Sequence, residues 1–132
     1  MGVGAARYTL AEKQARDSQR KSDLNQYRIA LENYSAANNT AYPIKCGNVS
    51  DDSSGLCSFA VGESTFQTTY LSGSCLQDPR TSESVFYYYC GDGSQYAVWA
   101  SLESGGYYEV CSNGKSGKLA TQPDAAGGNC SL

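Results

Sequence analysis

A chain of 132 residues is long enough for one domain with one modest core. Only 17% of it is charged, the formal net charge is −3 and histidine is absent, which removes the commonest general base and metal ligand. A weak negative charge also lacks the basic footprint on which nucleic-acid binding rests.

The first predicted element is a helix over residues 5–38, a stretch with no Gly or Pro that is rich in Ala, Leu, Glu, Lys, Gln and Arg. These residues lose least on becoming helical. Leu24, Tyr27, Leu31 and Tyr34 recur at steps of three and four, with Ile29 and Ala30 beside them, so the C-terminal half has one apolar face. From Glu12 to Asp23 the run is polar all round, and Glu12 with Arg16 and Asp17 with Lys21 are acid-before-base pairs four apart. At 1.5 Å per residue such a helix reaches roughly 50 Å, beyond the diameter of a small domain. One half is therefore expected to lie on a core and the other to project, bare. Residues 7–28 hold six basic and three acidic side chains, and the acidic excess lies in the rest of the chain.

Asn38-Asn39-Thr40-Ala41-Tyr42-Pro43 ends the helix, because Asn accepts a left-handed cap position and Pro43 disfavours helix at Tyr42. Residues 39–84 read as an irregular connecting region, with a short helix or strand near 66–71 and a turn at Asp78-Pro79. Residues 85–111 predict a three-stranded antiparallel meander. Val85 to Cys90 is an aromatic run of high strand preference, closed by Gly91-Asp92-Gly93. Gln95 to Leu102 alternates, with Tyr96, Val98, Ala100 and Leu102 on one face and Ala97, Trp99 and Ser101 on the other. Glu103 to Gly106 turns again and Tyr107 to Cys111 returns. Residues 112–132 read as a tail loop. The expected fold class is α+β: a single domain over residues 1–132, with a long N-terminal helix packed on the meander.

The six cysteines, Cys46, Cys57, Cys75, Cys90, Cys111 and Cys130, all lie outside the helix and show no paired spacing. That pattern favours a disulfide framework over zinc and implies an oxidising, extracytoplasmic compartment. No signal peptide or membrane-length apolar run is present, so the chain reads as a head separated from its export segment. Without histidine no catalytic group stands out. Glu103 and Glu109 flank a turn and read as solvated, as do Asp51 and Asp52, while Asn113, Gly114 and Asp124 offer too few carboxylates for calcium. No enzyme, cofactor or metal is expected. Of the aromatic residues Phe86 to Tyr89, Tyr96, Trp99, Tyr107 and Tyr108, about half should face the helix. The outward half offers either an adhesive surface or plain cross-strand pairing.

Several strings resemble the type IV pilin and pseudopilin superfamily. Ala15-Arg16-Asp17-Ser18-Gln19-Arg20-Lys21-Ser22-Asp23-Leu24 is similar to the second half of a pilin's first helix. Leu31-Glu32-Asn33-Tyr34 with Asn38 to Pro43 is similar to the end of that helix, Asp78-Pro79 to a family turn, and Tyr107 to Gly117 to a closing strand. The resemblance implies a structural subunit of a bacterial surface filament, anchored in the inner membrane through an absent N-terminal segment before assembly. It implies other pilin subunits as partners, in a helical homo-oligomer, and a role in attachment, twitching motility or DNA uptake; direct nucleic-acid binding is not expected. Arg16, Arg20, Lys21 and Arg28 then become candidate subunit contacts, against the plainer reading of a solvated face. A minor pilin or secretion pseudopilin is the alternative, and an adhesin module binding a glycan or host protein through exposed aromatics is the alternative of another class. Cys90 and Cys111 end strands separated by a third, about 10 Å apart and out of disulfide reach. Sequential loops are therefore preferred: Cys46–Cys57, Cys75–Cys90 and Cys111–Cys130, the last resembling the C-terminal disulfide loop of a pilin.

Overall fold

The computed structural model describes residues 2–52 and 55–132, with side chains from residue 9 onward. Helix α1, Gly2–Ala37, runs 36 residues without interruption. It stops where the sequence said it would: Asn39 and Thr40 take left-handed backbone angles, the Thr40 N–H donates to Ser35 O, and the Asn38 side-chain amide donates to Tyr34 O. The next elements are β1 (Lys45–Asn48), the small hairpin β2 (Ala60–Val61) and β3 (Ser64–Thr65), and α2 (Phe66–Tyr70), whose start is capped by the Thr65 hydroxyl. Then come β4 (Tyr88–Gly91), β5 (Tyr96–Ser101), β6 (Tyr107–Cys111) and β7 (Ser116–Leu119).

The expected α+β arrangement of one long helix on an antiparallel sheet is present, but the sheet has five strands in the order β1-β4-β5-β6-β7, not three. The two added strands come from the regions read as irregular connection and tail loop. Their sequences, Lys-Cys-Gly-Asn and Ser-Gly-Lys-Leu, are short and lack apolar alternation, so their pairing is set by neighbours and not by pattern.

The pleat sorts the side chains into two layers. Leu24, Tyr27, Ala30 and Leu31 of α1 form one buried cluster with Tyr87, Tyr89, Tyr96, Val98, Ala100 and Val110 from the sheet, closed by Val49, Leu56 and Phe66 from the connecting region. Burying each of the Leu, Val and Phe side chains among them is worth about 1.5–3 kcal/mol. On the opposite face, Cys90, Ala97 and Trp99 pack with Ala125 of the C-terminal segment. That segment lies across the sheet: Gln95 donates to Gly127 O and Asn129 Oδ1, Cys130 bonds Cys111 of β6, and Leu132 sits over Gly117 of β7. Gly128, at φ +80°, passes so close to β5 that a Cβ would stand 2.6 Å from Gln95 O.

All six cysteines are paired. The bonds are Cys46–Cys90, Cys57–Cys75 and Cys111–Cys130, so the tail staple agrees with the expected pairing and the other two partners are exchanged. The cause is β1. Its antiparallel register sets Cys46 directly opposite Cys90, which leaves Cys57 and Cys75 to close the connecting region.

Candidate functional site

The stretch from Glu12 to Asp23 reads in sequence as polar all round and bare, but in the structure Asp17, Arg20 and Asp23 are buried. Arg20 is the centre of a charged clamp, its side chain only 1% exposed. Its Nε and Nη2 donate to the two carboxylate oxygens of Asp78 at 2.7 and 2.9 Å, and its Nη1 donates to Asp17 Oδ1 and Glu103 Oε2 at 2.8 and 2.7 Å. Arg16 makes a second two-pronged pair with Glu103 at 2.6 and 2.7 Å. Arg80 reaches Glu103 Oε1 at 3.1 Å and also pairs with Glu83. Asp17 additionally accepts the backbone N–H groups of Glu103 and Ser104, so the middle of α1 is tied to the β5–β6 turn and to the Asp78 turn at once.

Electrostatics keep the clamp ionised. The Arg16 hydrogen bonds, followed by those from Arg20, outweigh burial and hold the Glu103 carboxyl down at about 2. Burial would raise Asp17, yet the N–H groups of Glu103 and Ser104 hold it below the usual carboxylate range. Burial likewise opposes charge on Arg20, and Asp78, Glu103 and Asp17 together more than offset it. One turn along α1, Asp23 accepts the Tyr87 hydroxyl at 2.6 Å.

Of the four candidate subunit contacts, Arg20 is therefore spent inside its own chain, and Arg16 is largely committed to Glu103. Lys21 stays at the surface with its Nζ 5.3 Å from the centre of the Tyr108 ring, and Arg28 bonds Asn25 within α1. The most exposed stretch of the helix lies further toward the N-terminus: residues 9–15 are exposed at every position, Leu10 to 55%.

The two glutamates read as solvated are also relocated. Glu103 is the acceptor shared by three arginines, and Glu109 is buried on the outer face of the sheet. Asp51 and Asp52 are exposed. Asn113 Oδ1 accepts the Lys115 N–H within its own turn, and the Asp124 N–H donates to the Ser131 hydroxyl. Glu109, Cys111 and Cys130 lie close enough together to suggest metal ligation, but both sulfurs are in a disulfide and offer no thiolate. Among the outward aromatics, Tyr88 and Trp99 stack at 5.7 Å, and Trp99 is only 9% exposed. Tyr87, Tyr89 and Tyr96 belong to the core. A shallow opening of about 450 Å³ lies between Ser104–Gly106 and Lys118–Ala120, and its one charged group, Lys118, points its Nζ to the Ser104 hydroxyl at 3.4 Å.

Among the described residues, no helix is long and apolar enough to cross a membrane. No protein-family model, curated protein or solved structure matches the chain.

Proposed function

We propose that the protein is the extracytoplasmic head of a type IV pilin-like filament subunit. In this reading α1 lies along a filament axis and the disulfide-held sheet forms the outer surface, serving attachment, twitching motility or DNA uptake. The observation that carries it is the helix itself: 36 residues, about 54 Å long, clamped at its middle and exposed on all sides over residues 9–15. A monomeric globular domain has no use for a helix that outruns its core, whereas a stacked subunit lays that surface against neighbours. Three disulfides with no free cysteine suit folding in an oxidising compartment and exposure outside the cell.

The adhesin reading needs open aromatic faces, and the burial of Trp99 against Tyr88 removes the largest of them. A photo-crosslinking residue placed at Gln14 tests the filament reading on cells that make the protein. Products linking two or more copies of the chain are expected, and exclusive capture of an unrelated protein contradicts the proposal.

A further inference from the structure

Glu109 is a carboxylate with no evident reason to be one. It is 0% exposed; among the described residues its Oε2 has no hydrogen-bond partner, while its Oε1 accepts the Ser131 N–H at 2.8 Å and Leu132 adds a second backbone donor to the carboxylate. Trp99 of β5 and Gly117 of β7 lie directly across from it. The ionisable side chains nearest it in chain and register are Tyr107 on its own strand and Lys118 of β7, and Cys111 and Cys130 beside it are joined in a disulfide. Lys118 pairs in register with Tyr108 and bonds Ser104. None of these gives Glu109 an ion pair among the described residues. Holding Ser131 needs an acceptor but not a charge, and a buried carboxylate without a cation is costly. What it does have is two sulfurs: Oε1 lies 3.5 Å from Cys111 Sγ and 3.8 Å from Cys130 Sγ.

We propose that Glu109 is the proton acceptor that closes the Cys111–Cys130 disulfide and, by the reverse step, the proton donor that opens it. In closure, Cys130 enters as a mixed disulfide with a small thiol. The Glu109 carboxylate takes the proton from the Cys111 thiol, the Cys111 sulfur attacks Cys130 Sγ, and the small thiol leaves as thiolate with the electron pair of the broken S–S bond. In opening, a glutathione thiolate attacks Sγ of Cys130, the less buried of the two residues, and Cys111 departs, taking the proton from the neutral Glu109 carboxyl. A thiol's pKa lies well above that of an ordinary carboxyl. Burial pushes Glu109 up, against the opposing Ser131 and Leu132 hydrogen bonds, and so narrows the gap across which the proton must pass.

The test follows opening of each disulfide in the folded, oxidised chain by glutathione between about pH 4 and 8. Thiols are trapped and identified by mass spectrometry, and rate constants are expressed per glutathione thiolate. The wild-type constant for Cys111–Cys130 is expected to fall about tenfold or more as pH rises through the Glu109 titration. E109Q is expected to open this bond at the slow rate at every pH, while Cys46–Cys90 and Cys57–Cys75 are unchanged. If E109Q opens as fast as the wild type does at low pH, charge rather than proton transfer is at work and the proposal is overturned. Should E109Q not fold, the wild type decides alone. A flat profile overturns the proposal; a fall with pH, together with about twofold slowing in heavy water below the inflection, supports it.

Discussion

Arg20 and Asp78, 58 residues apart in sequence, meet in a two-pronged ion pair from which solvent is almost wholly excluded. That contact, shared with Asp17 and Glu103, extends the docking of α1 on the head beyond the apolar stripe of Leu24, Tyr27 and Leu31. It also explains a polar stretch that has no apolar stripe to pack: the face from Asp17 to Asp23 is matched by polar partners, including backbone N–H groups of the β5–β6 turn.

Arg20→Met removes the cation and leaves three carboxylates facing one another. Breaking a buried pair from one side costs about 3–5 kcal/mol, so urea unfolding should show a loss of that order. The double replacement R20M/D78L should recover part of it. A double mutant no more stable than R20M would show that the pair carries no coupling.

Leu31 is fully buried between α1 and the sheet. Leu31→Asp places an uncompensated charge there and is expected to abolish the native near-ultraviolet circular dichroism. A cooperative melt at the wild-type temperature would contradict the packing of α1 on this face.

Acid should loosen the clamp. Glu103 and Asp17 have depressed folded-state values, so their contribution is complete above the unfolded carboxylate range and is lost as pH falls, for Glu103 from 4.5 toward about 2. Unfolding free energies measured across that window should drop steeply in the wild type and less steeply in E103Q. Glu109 has the opposite sign: its raised value makes its contribution complete at low pH and progressively lost as pH rises through the folded value. E109Q should therefore gain stability relative to the wild type toward neutral pH.

Mass spectrometry of non-reduced peptides should find Cys46 with Cys90, Cys57 with Cys75 and Cys111 with Cys130. Recovery of a Cys46–Cys57 peptide would overturn the placement of β1. C57S/C75S, opening a loop with a sequence separation of 18, should lose roughly 3 kcal/mol.

Much of the fold was legible because it is written in periodicity. The steps from Leu24 to Tyr34 oriented α1, and the alternation from Tyr96 to Leu102 separated Tyr96, Val98 and Ala100, which the structure turns to the helix, from Ala97 and Trp99, which lie on the other face. β1 and β7 were not legible, since four residues such as Lys45-Cys46-Gly47-Asn48 carry no pattern and pair only because β4 and β6 offer open edges. The two exchanged disulfides follow from that single omission. The clamp was hidden for another reason: Arg20 and Asp78 are complementary only in three dimensions, and a charge in sequence looks the same whether water or a carboxylate surrounds it. Glu109 read as a solvated residue flanking a turn, because nothing in the sequence showed that the C-terminal segment would cover it.

Whether the chain builds a filament as proposed is decided by immunogold electron microscopy of cells producing it, with antibody raised against the folded chain. A filament subunit should give gold particles spaced along the length of thin surface filaments. Label confined to the cell envelope or the medium, with filaments unlabelled, would contradict it.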